Sequence, residues 1–319
     1  MLESRVSNAV QVQWKLPQRL TVLPTYKCTA ACHECCFQSN PRITKRVPQD
    51  RLREYIDQAA EIDTIRLVCF SGGEAFVLGN DLVELVARSS SHGFMTRIVS
   101  NGYWATSEKA ARKRLSPLIE SGLNEINFST GDDHAEWVPV ERVLCGLATG
   151  LSFGLGMALM IEERAARRVT RDTVLEQAKA FPALLTALEN GVIPILESPW
   201  MPFAPDGRPL EAAKHRLANR DNVYMREPCT SVMTTVVVTP DERLGMCCGL
   251  PREKIPDLHA GSLRDARMKA LVDRSANDFL KIWLFVEGPE RILAWAASKD
   301  PSIDWELTHV QTRDACQLI

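Results

Sequence analysis

The stretch "CTAACHECCF" (28–37) places four cysteines within nine residues: Cys28, Cys32, Cys35 and Cys36. It follows directly on "LTVLPTYK" (20–27), a short apolar run of strand character. Thiols oxidise and cross-link, so such crowding implies a use. A loop leaving a strand end can wrap the C-x3-C-x2-C set, Cys28, Cys32 and Cys35, around one inorganic core.

Outward from this loop, helix and strand patterns alternate. Helical spacing runs over 47–62, with Pro48 suited to a first turn. "TIRLVCFSGGE" (64–74) reads as a buried strand entering two glycines, and 79–93 as a helix. Strand 94–104 precedes helix 107–122, which has a Ser cap and a Gly stop. Strand 125–133, a helix near 136–149, strand 151–163, helix 171–190 and strand 192–200 follow. Six β–α units predict an α/β fold, a parallel sheet curled into an open barrel with its sites at the carboxyl ends of the strands. "TTVVVTPDERLGMCCG" (234–249) reads as a hairpin, and helices follow it. The expected division is a lead-in over 1–19, a barrel over 20–210 and a smaller hairpin-plus-helices region over 211–319.

The 319 residues are 45% hydrophobic, enough for a sizeable core. Net charge is −2, so no basic excess points to nucleic acid or an acidic membrane as partner. The opening residues lack a basic head with an apolar run, and no membrane-length apolar segment occurs. A cytoplasmic location is expected. In a reducing compartment, ten cysteines suggest metal or redox chemistry rather than disulfides.

Other strand ends carry further motifs: "SGGEAF" (71–76), "SNGYW" (100–104), "NFSTGDDH" (127–134) and "MALMIEE" (157–163). With C-x3-C-x2-C, and in this order, they resemble the radical S-adenosylmethionine (SAM) superfamily, whose fold is a partial (β/α)6 barrel. The resemblance implies a [4Fe–4S] cluster on Cys28, Cys32 and Cys35, with SAM on the open iron. Gly72 and Gly73 would let the backbone approach SAM, and Glu74 would hold its ammonium group. Ser100 and Asn101 would lie near SAM, Ser129 near its ribose, and Met160 or Ile161 against adenine. Glu34 stands where the family often has an aromatic residue, and Phe37 would supply the apolar contact instead. An electron donor such as flavodoxin or ferredoxin would reduce the cluster. Cleavage of SAM would then give a 5′-deoxyadenosyl radical that removes hydrogen from a substrate. A zinc site completed by His33 or Cys36 is the plainer alternative. It explains neither the GGE motif nor the six-unit alternation. Cys36 is expected to pack beside the cluster, and Cys69 and Cys145 to be core thiols.

A second set comprises Cys229, Cys247, Cys248 and Cys316. The hairpin ending in Cys247–Cys248, with "FAPDGRP" (203–209) ahead of it, resembles the SPASM and twitch domains that bind an auxiliary cluster. More narrowly, "CHECCF", "CFSGGEAF", "SNGYW", "MCCG" and the late Cys316 resemble the epipeptide-type peptide epimerases. That resemblance implies removal of a Cα hydrogen from a peptide and return of hydrogen from Cys248. Cys229, Cys247 and Cys316 would then hold an auxiliary [4Fe–4S] cluster. Two features depart from the pattern: a late CxxC pair is reduced to Cys316, and Met233 replaces an acidic residue. Cys248 could instead be the fourth auxiliary ligand. Thioether or carbon–carbon cross-linking, small-molecule dehydrogenation and a metal-stabilised binding protein are the competing functions. With no peptide-recognition domain read before residue 20, a peptide is expected at the barrel mouth or with a partner.

Overall fold

The computed structural model describes residues 16–163, 166–198, 218–249, 255–303 and 305–306. Residues 1–15, the 203–209 stretch and Cys316 lie outside them. Strands β1 (Arg19–Val22), β2 (Leu67–Phe70), β3 (Met95–Ser100), β4 (Glu125–Thr130), β5 (Gly156–Glu162) and β6 (Ile195–Ser198) pair in parallel in chain order. Between them run α1 (Gln49–Ala60), α2 (Asn80–Ser91), α3 (Glu108–Glu120), the short α4 (Asp132–Ala135), α5 (Val140–Ser152), α6 (Arg171–Ala178) and α7 (Pro182–Glu189). This is a partial barrel of the expected α/β class.

The period of two along each strand decides where the core sits. Leu20, Val22, Phe70, Ile98, Ile126, Phe128, Leu159 and Ile161 are fully buried in the main core with Leu52, Leu85, Leu115 and Leu147 of the helices. Burying each such side chain stabilises the fold by roughly 1.5–3 kcal/mol. The opposite face carries Thr21, Cys69, Arg97, Asn127 and Ser129, and register aligns Thr21 with Cys69 and Cys69 with Arg97. Arg97 meets Glu125 at 2.8 Å on this inner face. Cys69, expected among core thiols, is fully buried here beside charged groups, and burial pushes it up to about 12.

The expected helix 171–190 is two helices. Phe181 takes φ −130° and ψ 76° before Pro182, which starts α7 at its first position. Strand β5 begins at Gly156 rather than 151, because α5 runs to Ser152 and Gly154 turns the chain at φ +72°.

The expected hairpin forms, and it belongs to the barrel sheet. β7 (Thr235–Val238) adds in parallel to the free side of β1. β8 (Arg243–Gly245) and β9 (His259–Ser262) follow antiparallel, giving nine strands in the order β6-β5-β4-β3-β2-β1-β7-β8-β9. The β7–β8 turn holds Glu242, whose buried carboxylate accepts from Tyr55 and Arg51 of α1 and, at 2.8 Å, from Arg264. The helices α8 (Met268–Ser275), α9 (Phe279–Glu287) and α10 (Pro289–Lys299) follow. Met268 N–H donates to Gln58 Oε1 at 2.7 Å, seating α8 on α1. No helix among the described residues is long and apolar enough to cross a membrane.

Candidate active site

The carboxyl ends of β1 to β4 surround a pocket that is partly open to solvent. Cys28, Cys32, Cys35, Cys36 and Phe37 line it from the first loop. Gly72, Gly73, Glu74, Ser100, Asn101, Ser129 and His134 line it from the next three strand ends. The structure therefore brings together Cys28, Cys32 and Cys35, with Cys36 beside them, and nearly all of the expected SAM-side residues.

The cysteine loop is held from three strand ends in succession. After β2, Gly73 N–H donates to Thr25 O and Glu74 N–H to Lys27 O, both at 3.0 Å. A Cβ on Gly73 would lie 2.1 Å from Lys27 O, and one on Gly72 2.5 Å from Thr25 O. The close approach these glycines permit is thus to the backbone leading into Cys28. After β3, Asn101 Nδ2 donates to Thr29 Oγ1 at 3.2 Å and reaches Cys28 Sγ at 3.6 Å. After β4, the buried Asp133 accepts from Glu34 N–H at 2.9 Å.

Glu74 ties β2 to β3. Its Oε1 accepts from Phe76 N–H and Ser100 Oγ–H, each at 3.0 Å, and its Oε2 from Asn101 N–H at 2.8 Å. Burial raises its carboxyl to about 7 against these hydrogen bonds. Ser100 Oγ also accepts from Trp104 Nε1 at 2.9 Å, fixing the side chain. Ser129 Oγ lies 3.3 Å from His134 Nε2.

The thiols are electrostatically unequal. Burial, then the nearby Glu74 charge, pushes Cys28 up to about 12. Burial pushes Cys32 up further, with Cys35, Cys28, Asp133 and Glu162 adding to it. A hydrogen bond from Cys36 draws Cys35 down to about 6 despite burial. Cys36 therefore packs directly against a candidate ligand. Backbone N–H groups reach two of the sulfurs: Ala30 to Cys28 and Ser39 to Cys35, each at 3.4 Å. Three soft thiol donors on one pocket, two of them met by N–H groups, fit an iron–sulfur cluster. Cluster binding would displace the thiol protons. No group of three or more Cys, His, Asp or Glu among the described residues could hold a single metal ion.

Ile161 is placed elsewhere. It faces the helices in the core, because it is paired with Thr130 on the outer side of the sheet. Met160, paired with pocket-lining Ser129, shares the inner face. Phe37 stacks on Tyr26 at 5.1 Å.

The second cysteine set divides. Cys247 is buried in a cluster with Val232, Met233 and Leu258, against which Cys229 packs. Cys248 is buried with Leu23 and Val237, against which Tyr26 and Phe37 pack. The two successive side chains thus pack in different clusters, Cys247 in the one that Cys229 joins and Cys248 in the one that Phe37 joins. Met233, at φ +64°, donates its N–H to Met246 O at 2.7 Å. Asp133 and His134 are site residues that motif reading passed over; the acidic pair beside Gly131 at a strand end was the available signal.

Residues 22–136, from the end of β1 to just past α4, match the family model described as the Radical SAM superfamily. The chain carries a radical SAM domain. YydG of Bacillus subtilis (strain 168), a protein assigned to peptide biosynthesis, is 30% identical over 112 residues, which are 35% of this chain and 35% of that protein. PqqA peptide cyclase of Bradyrhizobium diazoefficiens is 32% identical over 133 residues, 40% of this chain and 32% of that enzyme. The chain thus matches about a third of the length of these curated relatives. Among solved structures, Streptococcus suis SuiB bound to S-adenosylmethionine superposes with a TM-score of 0.52 at 13% identity, covering 99% of this chain and 81% of SuiB. That likeness is one of fold.

Proposed function

We propose that this chain is a radical SAM enzyme that acts on a ribosomally made peptide and inverts one of its Cα centres. Cys28, Cys32 and Cys35 hold the catalytic [4Fe–4S] cluster. Gly72 to Glu74, Ser100, Asn101 and Ser129 form the SAM side, with Met160 in place of Ile161 as the adenine contact. When bound, cluster and SAM supply the hydrogen-abstracting 5′-deoxyadenosyl radical. A flavodoxin- or ferredoxin-type protein delivers the electron, and the cytoplasm is the compartment that suits this chemistry. The peptide assignment draws support from YydG and PqqA peptide cyclase, both named for peptides.

Inversion is supported by one observation, the division of the Cys247–Cys248 pair. Cys248 packs with Phe37, and Phe37 lines the pocket. A thiol packed behind that wall would be the source of the hydrogen atom returned to a Cα radical. Cys247 and Cys229, with Cys316, would hold the auxiliary cluster. The barrel over 20–210 and the region over 211–319 would then divide the two clusters, even though β7 to β9 continue the barrel sheet.

The test is Cys248→Ala. The variant should keep its iron and still cleave SAM, but form no D-residue. Wild-type enzyme in D2O should place one deuterium in the product, since a thiol proton exchanges with solvent. A second reading has its own support: Cys248 lies within electrostatic reach of Cys229. As a fourth auxiliary ligand it would favour cross-linking or dehydrogenation. Loss of auxiliary iron in Cys248→Ala, with a product lighter by two hydrogens, would select that reading.

A further inference from the structure

The segment "QSNPRITKR" (38–46) follows closely on Cys36 and carries three cations and no acid. Isolated bridges join Lys27 to Asn40 and Thr25 to Arg46, laying this segment along the chain that leaves β1. It also touches two of the cysteines. Cys28 N–H donates to Asn40 O at 3.2 Å, and Ser39 N–H reaches Cys35 Sγ at 3.4 Å.

The outer side of the segment is basic. Lys27, Arg42 and Lys45 are exposed, and Arg46 is half-buried. Lys45 pairs with Asp241 and Arg46 with Asp81. Lys27 and Arg42 enter no ion pair among the described residues. The two acids offset two of the four cations, so the patch stays positive on a chain whose net charge is −2. None of Lys27, Arg42, Lys45 and Arg46 lines the pocket. A partner held by them would lie against the segment that touches Cys28 and Cys35, outside the pocket wall. A substrate has to enter the pocket, whereas an electron carrier has only to come close to the cluster. Electron-transfer encounters bury little area, so a few charges at an exposed edge suffice to select and steer the carrier.

We propose that Lys27, Arg42, Lys45 and Arg46 form the docking surface for an acidic electron-carrier protein that reduces the cluster on Cys28, Cys32 and Cys35. The carrier loses one electron and the cluster gains it, with no bond made or broken. This rests on the reading of those three cysteines as cluster ligands.

The experiment mixes full-length holoprotein anaerobically with a reduced acidic flavodoxin. Freeze-quench electron paramagnetic resonance follows the signal that disappears in the Cys28/Cys32/Cys35→Ala triple variant. Photoreduced deazariboflavin, small and uncharged, is the second reductant. Wild-type reduction by flavodoxin should slow as salt is raised. Lys27→Glu/Arg42→Glu should cut the flavodoxin rate about tenfold at low salt, with the gap narrowing at high salt. Its reduction by deazariboflavin should match wild type. Lys27→Arg/Arg42→Lys keeps both charges and should keep the flavodoxin rate. Arg42→Gln alone should show a smaller loss in the same direction, a readout that stands even where the double variant does not fold. A flavodoxin rate unchanged in the charge-reversed variant, or a loss that salt does not narrow, overturns the proposal. Equal slowing with both reductants overturns it as well, since the damage then lies in the cluster. A wild-type flavodoxin rate with weakened peptide binding overturns it in favour of a substrate surface. A signal that survives in the triple cysteine variant overturns the cluster assignment itself, and deazariboflavin shows this before any charge variant is measured.

Discussion

Replacing Gly73 by alanine should part the two loops that form the pocket. Gly73 is absent from the glycines with a left-handed backbone, so alanine meets no conformational strain there. The obstacle is contact alone. The added Cβ would sit 2.1 Å from Lys27 O and 2.6 Å from Tyr26 O, and real Cβ atoms do not approach within 3.0 Å. Both neighbours are backbone, so no side chain can swing aside. The separation must open by roughly 1 Å, beyond the reach of the bonds from Gly73 N–H to Thr25 O and Glu74 N–H to Lys27 O, now 3.0 Å each. Each lost hydrogen bond costs about 1 kcal/mol net. The overpacking adds about 1–3 kcal/mol, for a total of about 3–5 kcal/mol. Urea denaturation should show the midpoint falling accordingly at unchanged slope. The same variant should bind less iron, since the displaced backbone leads straight into Cys28. A stability loss below about 1 kcal/mol, on the scale of an ordinary surface substitution, would refute this account of the glycine pair.

Two further outcomes follow from other parts of the molecule. Replacing Cys28, Cys32 and Cys35 together by alanine should abolish reductive SAM cleavage while leaving auxiliary iron, and continued 5′-deoxyadenosine formation would refute the ligand set. Burial would raise the carboxyl of Glu242, but hydrogen bonds from Tyr55, Arg264 and Arg51 outweigh it and hold the group at about 2. A depressed carboxyl contributes fully above its ordinary value of 4.5 and loses that contribution as pH falls through about 2, a span worth up to about 3 kcal/mol. Glu242→Gln should therefore be less stable than wild type at neutral pH, with the gap closing in acid; a gap constant with pH counts against the network.

Much of the barrel was legible because strand and helix periods alternate cleanly from residue 20 to 200. The pocket residues could be found because glycines, a carboxylate and small polar residues stand at strand ends, where a parallel sheet exposes its loops. What escaped the reading depends on details a one-dimensional pattern blurs. Ile161 and Met160 are neighbours in sequence but lie on opposite faces, and only the register with Ser129 and Thr130 separates them. Gly72 and Gly73 were read as letting the backbone approach SAM, whereas the close contacts they make here are with Thr25 O and the Tyr26–Lys27 backbone, which are distant in sequence. Pro182 breaks a helix whose apolar spacing continues on both sides of it. Asp133 meets Glu34 across 99 residues, a pairing no local pattern encodes.

The placement of β7 beside β1 has a consequence for any attempt to dissect the protein. β1 feeds the cysteine loop, and among the described residues it is β7 that covers its outer side, through the paired residues Arg19 to Val22 and Thr235 to Val238. The ladder runs one residue past the end of β1, with Leu23 N–H donating to Val238 O at 2.9 Å. A chain cut after the sixth strand would leave β1 as a bare edge, with its N–H and C=O groups open to other chains. It would also lose Val236 and Val238 from the main core and Val237 from the packing around Leu23. Such a cut should therefore destabilise the barrel and leave β1 prone to self-association.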